Sequence, residues 1–186
     1  MSPQIMKNML FVAVAVLLYS CKIDHDKKVD RAKFSFKTGD DTELFFKNMR
    51  QSYYDLEENS VAKFNIFRYK DRVQEADHQL LNLAIVINYL QDEAYLLLEP
   101  DESLRDQDRL EVIWSGEAET GGTILLENYN REGMLEFVSQ VYEALQKKAR
   151  FTLKLEGEEL PLLDDPRERE AFRITVSDYY RLTRVY

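Results

Sequence analysis

The chain has 186 residues with 34 acidic and 25 basic side chains, a net charge of −9, one cysteine and two histidines. That length suffices for one domain with its own core. The acidic balance excludes nucleic acid and anionic lipid surfaces as partners, because both are bound through basic patches, and it permits a basic protein partner or a cationic ligand.

Residues 1–20 divide into three zones: Met1 to Asn8 with one positive charge, Lys7; an unbroken apolar run from Met9 to Leu18; and then Tyr19 and Ser20 before Cys21. A basic start, a short apolar stretch and a small residue at the end form the layout of a secretory signal. Ten helical residues reach about 15 Å, half of a hydrocarbon core of about 30 Å, so the segment suits targeting and not anchoring.

Leu18-Tyr19-Ser20-Cys21 resembles the lipobox of bacterial lipoproteins, an aliphatic residue, a variable one and a small one ahead of a cysteine, with Tyr19 in place of the usual small or β-branched second residue. The resemblance covers residues 1–21 alone. It implies that Cys21 receives a diacylglyceryl group on its sulfur, that the signal is cut before it, and that the new amine is acylated. A thiol suits this role because its thiolate is the nucleophile that forms the thioether. Three acyl chains, each methylene contributing roughly 0.8 kcal/mol, hold a protein on a membrane for its lifetime. Lys22 at the following position leans towards the outer membrane. Removing Lys7 with the signal leaves 34 acids against 24 bases, a net of −10. The mature chain then has no free thiol to mispair in an oxidising compartment.

Residues 21–32 read as the lipidated cysteine and a charged tether, and residues 33–186 as a single globular α+β domain. Asp24-His25-Asp26 offers one imidazole and two carboxylates in a flexible segment, which makes no metal site. Lys33 to Lys37 alternates Phe34 and Phe36 with polar residues, a strand pattern. Residues 41–58 suit helix or strand. Phe45, Met49, Tyr53 and Leu56 step by four, four and three, which favours a helix. Residues 61–71 alternate as a strand. A central hairpin is expected at about 81–90 and 94–99, from the β-branched Ile85-Val86-Ile87 and the turn-forming Gln91-Asp92-Glu93. Residues 101–108 form an exposed loop carrying Arg105, Asp106 and Asp108. Arg109 to Gly116 is a strand, Glu119 to Gly122 a turn, and Thr123 to Tyr129 a strand.

Residues 130–148 form the clearest helix. Asn130 caps it, and Met134, Phe137, Val138, Val141, Tyr142 and Leu145 make one apolar stripe. Residues 150–163 read as a hairpin turning at Gly157. Asp165-Pro166-Arg167-Glu168 starts a second amphipathic helix with a capping Asp, Pro at the first position and Glu at the third. The expected fold is one mainly antiparallel sheet over residues 33–127, with two C-terminal amphipathic helices on one face.

No catalytic set stands out. The domain has no cysteine nucleophile, no serine in a G-x-S-x-G frame, no phosphate-loop glycine spacing and no histidine pair at metal spacing. His78 is the sole histidine of the domain. Asp and Glu are too numerous for a hydrolytic pair to be chosen. Tyr53-Tyr54-Asp55 and Asp178-Tyr179-Tyr180 are mirrored triplets in which one Tyr of each pair can be core and the other exposed for recognition. Trp114 reads as core. The expectation is a cell-envelope lipoprotein with a non-catalytic binding or scaffolding domain, membrane-held through Cys21, with no cofactor and no metal. A periplasmic immunity or inhibitor lipoprotein that neutralises a toxin or hydrolase is the alternative, and an envelope-polymer hydrolase the third.

Overall fold

The computed structural model describes residues 29–105, 107–116 and 120–186. Cys21, His25 and the Asp24–Asp26 segment lie outside the described residues. The chain is an α+β domain built from two antiparallel sheets and a pair of long helices.

The first sheet runs in sequence order: β1 (Tyr54–Asn59), β2 (Phe64–Tyr69), β3 (Leu81–Asn88) and β4 (Glu93–Pro100). Strand alternation sorts its side chains. Tyr54, Phe67, Ile85 and Leu96 belong to the inner face and join the main core. Ile66, Ala84 and Val86 turn outward and form a smaller cluster with Phe64, Tyr95 and Leu97. β3 is therefore buried on both faces, which explains its apolar run over residues 83–87.

The second sheet has the order β6 (Gly121–Leu126), β5 (Leu110–Ser115), β7 (Arg150–Leu155), β8 (Glu158–Leu162). The expectation of one sheet over residues 33–127 is corrected here. β5 takes β6 on one side and β7 on the other, so the C-terminal hairpin completes a separate sheet. The two-residue turn Glu156-Gly157 has both φ angles positive, 51° and 91°, the geometry that matches strand twist in a tight hairpin. Gly121 and Gly122, expected in a turn, are strand residues. A Cβ on Gly122 would lie 3.1 Å from Trp114 Nε1, so the glycine admits the indole.

α2 (Arg131–Gln146) and α3 (Pro166–Leu182) pack on each other and on the inner face of the first sheet, and α2 also meets β6. Asn130 and Asp165 cap them, each accepting a backbone N–H. All six residues of the expected α2 stripe are buried. One core runs through both sheets and both helices.

Residues 29–38 form a strap. Val29 is buried in the core, and Arg31 lies on α2, so the docked part of the chain begins inside the expected tether. The expected strand at 33–37 is a 3-10 turn, Arg31–Lys33, followed by one bridge, Lys37 to Glu93. Phe34 stacks on Tyr180, and Phe36 lies under the Arg131 guanidinium. The Phe36 carbonyl accepts from Ala94 N at 2.7 Å, and Thr38 N donates to the Asp92 carbonyl at 2.9 Å. The strap thus covers the start of β4.

Candidate binding surface

The segment expected as one helix over 41–58 has three parts: α1 (Asp40–Phe45), a π-helical turn over Phe46–Arg50, and a 3-10 turn over Gln51–Tyr53, after which β1 begins. Two columns of side chains here step by four. Phe45, Met49, Tyr53 and Leu56 are the stripe that favoured a helix over the whole segment. All four stand in solvent, together with Leu44; Leu44 is 59 % and Met49 58 % exposed. The neighbouring column, Phe46, Arg50 and Tyr54, faces the domain. Phe46 meets Phe67 edge-on with ring centres 5.2 Å apart and lies 5.6 Å from Tyr54.

Arg50 is the reason the second column goes inward. Its Nε donates to both carboxylate oxygens of Asp178 at 2.9 Å, and Tyr54 Oη donates to Oδ2 at 2.8 Å. Arg181 approaches Oδ1 at 3.7 Å. Burial pushes the Asp178 carboxyl above its ordinary range, while the Tyr54 hydroxyl and the Arg50 guanidinium pull it back down. Burial, reinforced by the Asp178 charge, pushes the Tyr54 hydroxyl up and keeps it a donor. The Arg50 guanidinium lies 4.7 Å from the centre of the Tyr53 ring, which fixes that ring on the outside.

The two mirrored tyrosine triplets therefore meet. In the first, one tyrosine is core and the other exposed, as expected of the pair: Tyr54 is buried and Tyr53 is not. Tyr179 and Tyr180 are both fully buried, against the expectation that one would be exposed, because α3 is covered by the strap on one side and by α2 on the other. Arg50 has no part in the sequence reading, and Asp178 enters it only as the carboxylate beside a tyrosine pair, not as the partner of an arginine. The only trace of their pairing is an arginine inside an aromatic column and an acid beside a tyrosine pair.

β1 completes the surface. It is the first strand of its sheet, and four of its six residues, Asp55 to Glu58, are exposed. Lys70 N donates to the Tyr53 carbonyl at 3.0 Å, which sets the phase of the antiparallel ladder. Asp55, Glu57 and Asn59 bond to β2. Leu56 and Glu58 turn their N–H and C=O groups to the open side.

Two other clusters of polar side chains lie elsewhere in the domain. His78 lies in the loop before β3, with Nε2 2.6 Å from Glu168 Oε1 and Nδ1 3.3 Å from Asp77 Oδ1. The hydrogen bond to Glu168 raises the imidazole above its ordinary range, helped by Asp77. Both ring nitrogens face carboxylates, an arrangement that holds a proton and leaves no nitrogen aimed at a nucleophile. Glu168, expected to complete the helix cap, is buried and reaches His78 instead. The second site is a groove of about 400 Å³ between α2 and the second sheet, lined by Arg31, Trp114, Glu136, Gln140, Glu143 and Lys147. Arg31 spans both carboxylates, 3.0 Å from each, so neither is free to act as a general acid or base. Trp114 is partly exposed there with Lys147 over its ring at 5.5 Å, not fully in the core.

Arg105 and Asp108 are at the surface, as expected of a solvated loop, though Leu104 between them and β4 is buried. Among the described residues no group of three or more His, Cys, Asp and Glu could hold a metal ion, and no helix is long and apolar enough to cross a membrane. Comparison with protein-family models, with curated proteins and with solved structures finds no match to this chain.

Proposed function

We propose that this protein is a bacterial cell-envelope lipoprotein, anchored through acylated Cys21, whose domain binds a partner and does not catalyse. The observation that carries the binding reading is the run of five large apolar side chains, Leu44, Phe45, Met49, Tyr53 and Leu56, held outward within thirteen residues of chain. Exposed apolar side chains occurring singly are ordinary; a concentration of them marks an interaction surface. The surface is also firmly built, because the column beside it is tied to the buried Asp178 carboxylate. The anchoring half of the proposal is supported by the sequence of residues 1–21 and by the chain docking onto the domain from Val29. At most eight residue steps of about 3.6 Å then separate Cys21 from the domain, which holds it close to the membrane.

A second reading, an immunity or inhibitor lipoprotein that neutralises a basic toxin or hydrolase, is favoured by the carboxylates Asp55, Glu57 and Glu58 on the open strand.

The anchor is tested by labelling cells with a radioactive fatty acid, with wild type beside Cys21→Ala, and by protease treatment of intact cells. Label on the wild type alone supports the lipoprotein reading, and label on neither removes it. Loss of the domain to external protease favours external ligands. Survival favours a periplasmic partner and with it the immunity reading.

A further inference from the structure

The binding surface has two parts, an apolar ridge and a strand edge, and together they define the kind of partner that fits. We propose that β1 accepts an extended segment of a partner protein as a fifth strand, with cationic residues at alternate positions and apolar residues between them. The inference rests on the reading of the domain as a binding module and names what it binds.

The first argument is the backbone. Leu56 and Glu58 each present an N–H and a carbonyl to the open side, and the Tyr54 carbonyl points the same way, while the Tyr54 N–H is used by the Gln51 carbonyl. Among the described residues β2 is the only strand that pairs with β1. An extended peptide would satisfy these groups by strand addition, a common mode of peptide capture.

The second argument is side-chain chemistry. Asp55 and Glu57 lie on the outer face of the sheet, opposite Arg68 and Ile66. Arg68 is shared between Glu57 and Glu99, and Arg72 pairs with Asp55, so three carboxylates face two guanidinium groups there. Glu58 has no ion pair among the described residues, but it alternates to the inner face with Tyr54 and Leu56, so the outer-face excess is that of the three carboxylates over the two guanidinium groups. A strand laid against β1 would set its outer side chains beside this excess negative charge, where lysine or arginine is favoured. On the inner side it would meet Leu56, with Tyr53 and Met49 next along the chain, where apolar residues are favoured.

The third argument removes a second copy as the occupant. An antiparallel β1–β1 pair centred on Leu56 sets Asp55 against Glu57 twice, and like charges directly opposite are destabilising. The same acids that attract a basic strand thus keep this edge from pairing with itself, a protection that exposed edges need.

The test is residue-resolved amide hydrogen exchange on the full chain in detergent, with an acetylated decapeptide of five Lys-Val repeats as probe and a Glu-Val decapeptide as control. The proposal expects the Lys-Val peptide to slow exchange at Leu56 and Glu58 by at least about tenfold, with Ala94 unchanged and no effect of Glu-Val. Leu56→Pro removes the central outward N–H at a position where an edge strand tolerates proline, and it should abolish the protection without altering the melting temperature. If that variant fails to fold, Glu57→Lys serves, because Glu57 stands on the outer face, and it should weaken the Lys-Val effect severalfold. Absence of slowing, equal slowing by both peptides, or slowing without peptide as protein concentration rises would each overturn the proposal. Failure of the Cys21 label would leave this result untouched, so the two readings fall separately.

Discussion

The first sheet has two edges, and the start of one of them is covered by the strap while the other stands open among the described residues. At β4 the strap lays the Phe36 carbonyl and the Thr38 N–H against the strand, with Lys37 bridging to Glu93. At β1 nothing comparable is laid down among the described residues, and acidic residues stand along the strand. The covered edge belongs to the architecture: the segment that covers it also places Val29, Phe34 and Phe36 against the core. The open edge is guarded only by charge, and charge selects partners as well as repelling them. The contrast teaches that, in this sheet, association is to be sought at the edge with no strap laid against it.

The largest expected effect is at the support of the open edge. Asp178→Ala leaves Arg50 without its partner and Tyr54 without its acceptor inside the domain, and should cost about 3–5 kcal/mol of stability in urea unfolding. Its local signature should be faster amide exchange through Phe46 to Glu58 with the strap unaffected. On the covered edge, Arg31→Ala releases the clamp on Glu136 and Glu143. All three side chains are partly exposed, so the loss should be under about 1 kcal/mol, with faster exchange at Thr38 and Ala94 as the sharper readout.

His78 lies outside both edges and serves as a control. Its proton affinity is raised in the folded state, so its contribution to stability is complete below the unfolded value of about 6.5 and is lost as pH climbs through the raised folded value. The difference in melting temperature between wild type and His78→Asn should therefore shrink as pH rises from 6 to 8, with neither edge changed. The smallest effect is expected on the ridge itself. Met49→Ser or Leu44→Ser should shift stability by less than about 0.5 kcal/mol, because neither side chain is buried, and a loss of several kcal/mol would return the stripe to the core.

The same contrast explains what could be read from the sequence. α2, the β3–β4 hairpin, the turn at Gly157 and the Asp165 start were legible because each carries a local signal that one physical rule reads: a helical stripe, β-branched alternation, a positive-φ glycine, a capping carboxylate. Residues 45–54 were not, because Phe45-Met49-Tyr53 and Phe46-Arg50-Tyr54 have the same spacing. Hydrophobicity favours the first column. The second is buried only because Asp178, far along the chain, receives the arginine. Spacing shows that a face exists, and tertiary partners decide which face it is. The division into two sheets was hidden for a related reason: β5 finds β7 across the whole of α2, a pairing that no local pattern announces. The ridge was legible as a list of residues but not as a surface, since an apolar stripe looks the same whether it meets a core or awaits a partner.

The contrast between the edges is tested most directly by amide exchange of the full chain with nothing added. Ala94 and Thr38, bonded to the Phe36 and Asp92 carbonyls, should exchange slowly, while Leu56 and Glu58 on β1 should exchange at rates near those of exposed loops. Slow exchange at Leu56 and Glu58 would mean that the β1 edge is already covered, and would contradict the open binding edge on which the functional reading depends.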